Sequence, residues 1–266
     1  MRSILLFVLF SFTVSLLPGQ KYLVREYDQF NQLPSDNVQA IFRDSIGYLW
    51  VGTRAGLYRF DGRHFQDFNN TLQSLNIRDI IQVAPNQLWI SNDQGILEVN
   101  IQANEVDIDL YLPASESAAD SLLYYPNTLF RQKDGTIWIS QPNATLVRWQ
   151  AGQLKKYPLD AKCASGGSES KMIFAESPDG KLWVAAETGY LYRYDQKEDQ
   201  FEAFRLPYST QQIGALLFYG EQLLVGGDGL FLFHPPNRQK RSLRHQITEK
   251  IRKSSKKYFD RAGDIG

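Results

Sequence analysis

Five polar residues, Arg54, Asp93, Asn143, Glu187 and Asp228, stand four or five positions after an aromatic or aliphatic anchor at the start of a short loop. Side chains of this kind on the loops of a rigid scaffold bind ligands through hydrogen bonds and ion pairs. Tyr124 and Tyr125 add two adjacent aromatic rings, suited to stacking on a sugar ring. The alternative is that all seven are solvated turn residues. Other chemistry is poorly supported. The three histidines, His64, His234 and His245, lack metal-ligand spacing, and the lone Cys163 excludes both an internal disulfide and a cysteine-based zinc site. No metal or cofactor is therefore expected. Gly226-Gly227-Asp228-Gly229 is followed by neither lysine nor a helical pattern, so it is a turn and not a phosphate loop. A glycosidase needs two carboxylates across a cleft, and nothing in the sequence marks such a pair. None of the histidines lies near a nucleophile-elbow pattern.

The elements that must position these loops are repeated. Trp50, Trp89, Trp138, Trp183 and Leu224 are anchors spaced 39, 49, 45 and 41 residues apart. Each lies in a short apolar run preceded by a turn, such as Asp134-Gly135 and Asp179-Gly180, where glycine accepts positive φ. Two positions after each anchor is a small residue: Gly52, Ser91, Ser140, Ala185 or Gly226. An apolar strand precedes each turn, a second turn and a third strand follow the anchor, and a ragged polar strand comes last. A period in the forties with about four short strands per unit is the signature of propeller blades. The small residues are expected to let an aromatic of the neighbouring blade lie flat. The anchors, and Trp149 in the third strand of the third repeat, are expected to be packing groups.

The expected fold is all-β: a β-propeller of about five four-stranded blades, closed as a ring or left as an incomplete arc, with a short C-terminal helical tail. The blades lie near 37–70, 76–112, 126–158, 171–206 and 212–236. The last lacks a convincing outer strand, which the stretch 21–30 could supply. In such blades the loops between second and third strands, and those leading into each first strand, emerge on one rim. That rim would gather the five polar loop residues.

The two ends of the chain differ from the body. Residues 1–20 carry Arg2, a 14-residue apolar run and a Pro-Gly-Gln close. The run is too short to span a bilayer core of about 30 Å, so it is a secretory signal and the expected location is the periplasm or the extracellular space. Residues 237–266 hold ten Lys/Arg against three Asp/Glu, although the whole chain has 29 of each. A basic tail on an acidic body results, with Leu243, Ile247, Ile251 and Tyr258 on one helical face. Docking on the acidic body, a remnant without a role, and binding to an anionic surface remain open for it. Export argues against nucleic acid.

The stretch from Leu33 to Gly62, L-P-S-D-N-V-Q-A-I-F-R-D-S-I-G-Y-L-W-V-G-T-R-A-G-L-Y-R-F-D-G, closely resembles the repeat of the two-component regulator propeller family. That repeat has an L-P-S-x-x-V lead-in, a D-x-x-G-x-L-W-x-G-T turn and strand, and a G-L-x-R-[FY]-D third strand. The first repeat matches nearly throughout and the fourth, 177–195, well. The resemblance implies an exported sensor propeller of a hybrid histidine kinase, many of which respond to glycans. This chain departs from that plan: it shows five repeats, no transmembrane helix and no kinase histidine motif. The expectation is a truncated sensor or a stand-alone binding propeller, not itself an enzyme. Its partner would be a glycan or other small extracellular ligand, with membrane-bound sensor domains implied by the resemblance; its oligomeric state is open. A secreted propeller enzyme acting on polysaccharide and a protein-interaction scaffold are the alternatives.

Overall fold

Short runs of β-branched and aromatic residues, cut every five or six positions by glycine or Asx turns, can satisfy their backbone only by pairing with the next run. The computed structural model shows this outcome five times. It describes residues 24–27, 33, 35, 37–102, 105–115, 122–159, 171–186, 189–206, 213–227, 229–234 and 239–242.

The first sheet comprises β1 (Val38–Arg43), β2 (Leu49–Thr53), β3 (Gly56–Phe60) and β4 (Phe65–Asp67). The second has β5 (Asp79–Ala84), β6 (Gln87–Asn92), β7 (Gly95–Gln102) and β8 (Glu105–Pro113). The third has β9 (Leu129–Arg131), β10 (Ile137–Gln141), β11 (Thr145–Gln150) and β12 (Gln153–Pro158). The fourth has β13 (Ile173–Glu176), β14 (Leu182–Ala186), β15 (Tyr190–Asp195) and β16 (Gln200–Arg205). The fifth has β17 (Ala215–Tyr219), β18 (Gln222–Gly226), β19 (Leu230–His234) and β20 (Gln239–Ser242). Every sheet is an antiparallel meander in chain order, and all five lie in one compact unit. The fold is a β-propeller of four-stranded blades.

Two expectations change. The outer strand of the fifth sheet is β20, drawn from the stretch read as helical tail, and it pairs residue by residue with β19 (Phe231 opposite Ser242, His234 opposite Gln239). Its sequence, Q-K-R-S, is polar because it is an edge, and this hid it from a search for apolar runs. Residues 24–27, part of the stretch offered for that role, are not in a strand. The signal segment 1–20 and the tail after 242 lie outside the described residues.

The anchors hold the sheets to one another in sequence. Trp50 packs with Ile77, Ile80, Leu88 and Ile90 of the second repeat, and Trp89 with Leu129, Ile137 and Ile139 of the third. Trp138 packs with Leu182, Val184 and Tyr192 of the fourth, and Trp183 with Leu223, Val225 and Phe233 of the fifth. An indole removes roughly 150–250 Å² from water, so these four junctions carry much of the hydrophobic stabilisation. Trp149 lies edge-on to Trp89, with ring centroids 4.9 Å apart, and is a packing group as expected. Leu224 keeps the anchor register between Leu217 and Leu232 but is only half-buried. The end sheets each leave one face of the inner strand bare: Ile41 on β1 is 64% exposed, and Leu217 and Tyr219 on β17 are 62% and 75% exposed. Large apolar residues on β5, β9 and β13 are not exposed in this way. Among the described residues, no other sheet covers these two faces.

Two of the small residues, Gly52 and Ser91, have a different neighbour from the expected aromatic. A Cβ on Gly52 would come 2.4 Å from Ile77 Cγ2, on the segment leading into β5. Ser91 Oγ donates to the carbonyl of Asn127, 2.6 Å away, on the segment leading into β9. A backbone bond at the same place runs from Ile77 N to Thr53 O (2.9 Å). Gly52 and Ser91 are small because the lead-in segment of the next repeat docks on them. Gly52→Ala should therefore destabilise the protein by about 1–3 kcal/mol through overpacking against a fully buried isoleucine. Thermal denaturation checks this, with a midpoint lowered by several degrees expected and an unchanged midpoint contradicting the close approach.

Candidate functional site

The lead-in segments deliver side chains to one place. Gln39 is the second residue of β1, Asn76 and Arg78 precede β5, Asn127 precedes β9 and Lys171 precedes β13; with Arg54 from the β2–β3 turn they line a cavity of about 190 Å³. Four of them, Gln39, Arg78, Asn127 and Lys171, stand eleven or twelve residues ahead of a tryptophan anchor, the point in each repeat where the inner strand begins.

Lys171 fixes the geometry. Its ammonium donates to the Gln39 carbonyl at 3.2 Å and to the Arg78 carbonyl at 3.4 Å, so a residue of the fourth repeat bonds to the backbone of the first and second. Arg78 donates to Asp93 Oδ1 from Nε (3.1 Å) and from a terminal nitrogen (2.7 Å). Asn76 Nδ2 donates to both oxygens of Asp93 at 3.2 Å and accepts a bond from Gln39 Nε2 at 3.1 Å. Just behind, the Asp79 carboxylate accepts from Leu129 N (2.7 Å) and Ile80 N (2.9 Å). Burial pushes its pKa up to about 6, against the pull of those two N–H groups and of Lys171. Among the described residues, Arg78 is thus balanced by Asp93, and Lys171 lies within the electrostatic reach of Asp79.

A larger cavity, about 460 Å³, lies between the third and fourth sheets near the opposite ends of the strands, by the β9–β10, β13–β14 and β15–β16 turns. Several of its polar groups are committed to residues in or beside it. Asp199 accepts from Arg148 (3.1 Å), Tyr157 (2.6 Å), Lys155 and Tyr194. The bonds from Lys155, then Tyr157 and Tyr194, hold that carboxyl well below the usual range. Arg193 donates to Glu202 at 2.6 Å, and Asp179 is engaged by Lys181 and Ser177. This is a clasp joining two sheets. Among the described residues, no group of three or more His, Cys, Asp or Glu could hold a metal ion.

The residues singled out from sequence divide in three. Arg54 lines the cavity and Asp93 braces its Arg78. Asn143 is an exposed turn residue with φ of +58°, a conformation asparagine tolerates, and Tyr124 and Tyr125 lie edge to face at 4.8 Å; none of these lines the cavity. Glu187 and Asp228 lie outside the described residues. Gln39, Asn76, Arg78, Asn127 and Lys171 were missed. The available signal was the fixed interval ahead of each tryptophan, at a position where the residue type varies from repeat to repeat.

With this geometry in place, comparison with known proteins adds the following. Residues 32–55 match the two component regulator propeller family. Histidine kinase P4 of Formosa agariphila is 39% identical over 74 residues, which are 26% of this chain and 5% of that protein. The extracellular domain of a putative hybrid two component system from B. thetaiotaomicron superposes with a TM-score of 0.63 at 17% identity, over 83% of this chain and 32% of that one. Virginiamycin B lyase from Staphylococcus aureus superposes with a TM-score of 0.58 at 12% identity, over 77% of this chain and 69% of that one. The chain spans a small fraction of the curated relative and about a third of the extracellular domain. At these identities the two superpositions speak for the fold. No helix among the described residues is long and apolar enough to cross a membrane.

Proposed function

We propose, from the premise that this chain carries a two component regulator propeller repeat at residues 32–55, that it is an extracytoplasmic ligand-binding propeller of a regulator of that type. The observation that carries the reading is Lys171, whose ammonium is tethered to the first and second repeats at the edge of a cavity built by lead-in segments of four repeats. A ligand that bonds Lys171 and the arginines would tie these segments together. A site where segments of several repeats meet turns occupancy into a change in how firmly the sheets are held, which partner domains can read by association. Catalysis is not part of the proposal. Asp93 is held by Arg78 and Asn76, and Asp79 by two backbone N–H groups, so neither is placed as a general acid or base towards the cavity.

The test is a binding screen of the full chain against immobilised glycans and their small breakdown products, with the products analysed in the same samples. Binding without turnover is expected. Turnover of a bound glycan would replace the sensor with an enzyme, and failure to bind any member of the panel would remove the ligand-sensing reading.

A further inference from the structure

The four junctions between neighbouring sheets are built to one plan, and the first and fifth sheets each carry a half of that plan without its mate. We propose that the fifth sheet of one copy of this chain docks on the first sheet of a second copy, β17 against β1, so that the protein associates head to tail.

Register shows the plan. Successive residues of a strand point to opposite faces of its sheet, so an anchor and the residue after it serve different neighbours. The anchor packs forward, on a set of three residues aligned across the next sheet. Ile80, Ile90 and Leu97 receive Trp50, and Leu129, Ile139 and Val147 receive Trp89. The fourth and fifth sheets receive Trp138 and Trp183 in the same way, with Val184 and Val225 at the centre of the set.

Two sets remain. At the receiving positions the first sheet has Ile41, Val51 and Tyr58. At the anchor positions the fifth sheet has Leu217, Leu224 and Leu232, all aliphatic. Val51, Tyr58 and Leu232 are buried, but the inner-strand members are open: Ile41 is 64% exposed and Leu217 62%. Tyr219, two residues along on the same face as Leu217, is 75% exposed. Inner strands are also where sheets meet inside the chain, β1 with β5, β5 with β9 and β13 with β17. Apolar side chains left in water on both halves favour their mutual burial.

A polar contact adds to the match. At two internal junctions the turn of one sheet donates to the end of the next inner strand: Ser45 N to Gln82 Oε1 at 3.2 Å, and Lys133 N to Glu176 Oε2 at 3.0 Å. Gln82 and Glu176 pair with the residue just before the tryptophan, and the first sheet has Arg43 at that position. Arg43 is exposed, and so is Glu221 on the β17–β18 turn that it would meet. Opposite charges there favour this pairing of faces. A second copy is the occupant because the chain supplies both halves, while in a single copy Ile41 and Leu217 both stay exposed. The halves differ, so the contact is heterologous and not between like faces.

Sedimentation equilibrium of the full chain over about 1–100 μM tests this, with Leu217→Lys, Ile41→Lys and an equimolar mixture of the two variants. Both positions are exposed, so both variants should fold, which thermal denaturation checks. The parent should associate, with a mass that rises with concentration, and each variant alone should associate at least about tenfold more weakly. The mixture should regain association, because the fifth sheet of the Ile41→Lys protein and the first sheet of the Leu217→Lys protein are both unaltered. A monomeric parent would overturn the proposal. So would association that survives either substitution, which marks contact between like faces or through another surface, and so would a mixture that stays monomeric. Ligand binding by a chain that does not associate would leave the sensor reading standing and remove only this inference.

Discussion

Trp138→Ala should lower stability by about 3–5 kcal/mol, the range for deleting a large buried aromatic. Trp138 is fully buried, and it lies where the third sheet meets the fourth. Tyr157, Tyr194 and Phe201 contact its ring at centroid distances of 5.5, 4.9 and 5.4 Å. Its Nε1–H donates to Gln132 Oε1 at 2.7 Å, and Gln132 Nε2 donates onward to the Gly180 carbonyl at 3.0 Å, in the turn of the next repeat. Loss of the indole removes apolar contact and leaves the buried Gln132 carbonyl without its partner, while the Asp199 clasp on the same junction survives. The expected result in urea is a lower midpoint with a broadened or two-step transition, as the first three repeats separate from the last two. Trp138→Phe should recover part of the loss, because a ring returns without the N–H. A midpoint within about 1 kcal/mol of the parent would contradict the role assigned to this junction.

Asp44→Ala should cost about 2–4 kcal/mol although it removes only three atoms, because one carboxylate serves four donors. Oδ1 accepts from the backbone N–H groups of Ile46 (3.0 Å), Gly47 (2.7 Å) and Tyr48 (2.9 Å), and Oδ2 accepts from Trp50 Nε1 at 2.8 Å. Asp44 and Trp50 are both buried, so water cannot replace these bonds without opening the turn. Asp44→Asn is the informative companion. Its oxygen can cap the turn, but its NH2 group would then face the Trp50 N–H, donor against donor. Asn should therefore recover less than half of the loss. Full recovery by Asn would show that the turn, and not the indole bond, is what Asp44 holds. Chemical denaturation of the three proteins side by side decides it.

The environment of Trp50 explains why this repeat reads so clearly. Arg59, opposite Trp50 in the β2–β3 register, lies over the rings of Tyr48, Trp50 and Phe68 at 4.4, 5.7 and 5.7 Å. It donates to Gln66 at 2.7 Å, and its buried Nη1 has no hydrogen-bond acceptor, so the ring faces are its remaining compensation. Arg148 and Arg193 stand opposite Trp138 and Trp183 in the same register, and Glu98 opposite Trp89. The G-L-x-R-[FY] third strand thus records a packing requirement: the arginine covers the indole.

Local pattern, by itself, determined the parts that depend on neighbours in the chain. The turns, the strands on either side of them and the repeated tryptophans follow from glycine and Asx chemistry and from alternation. Each meander closes within about forty residues, and these features repeat often enough to be seen. Tertiary structure decided what depends on residues far apart. The polar strand β20 is a strand because β19 offers it an edge. Gly52 is kept small by Ile77, and Ser91 is engaged by Asn127, each in the lead-in segment of the next repeat. The cavity residues come from four repeats, spread from Gln39 to Lys171, and no local pattern joins them. Residues that pack in every repeat are constrained alike and so appear as a motif. Residues that face a shared space are constrained only by one another, and they become visible as a group once the sheets are set side by side.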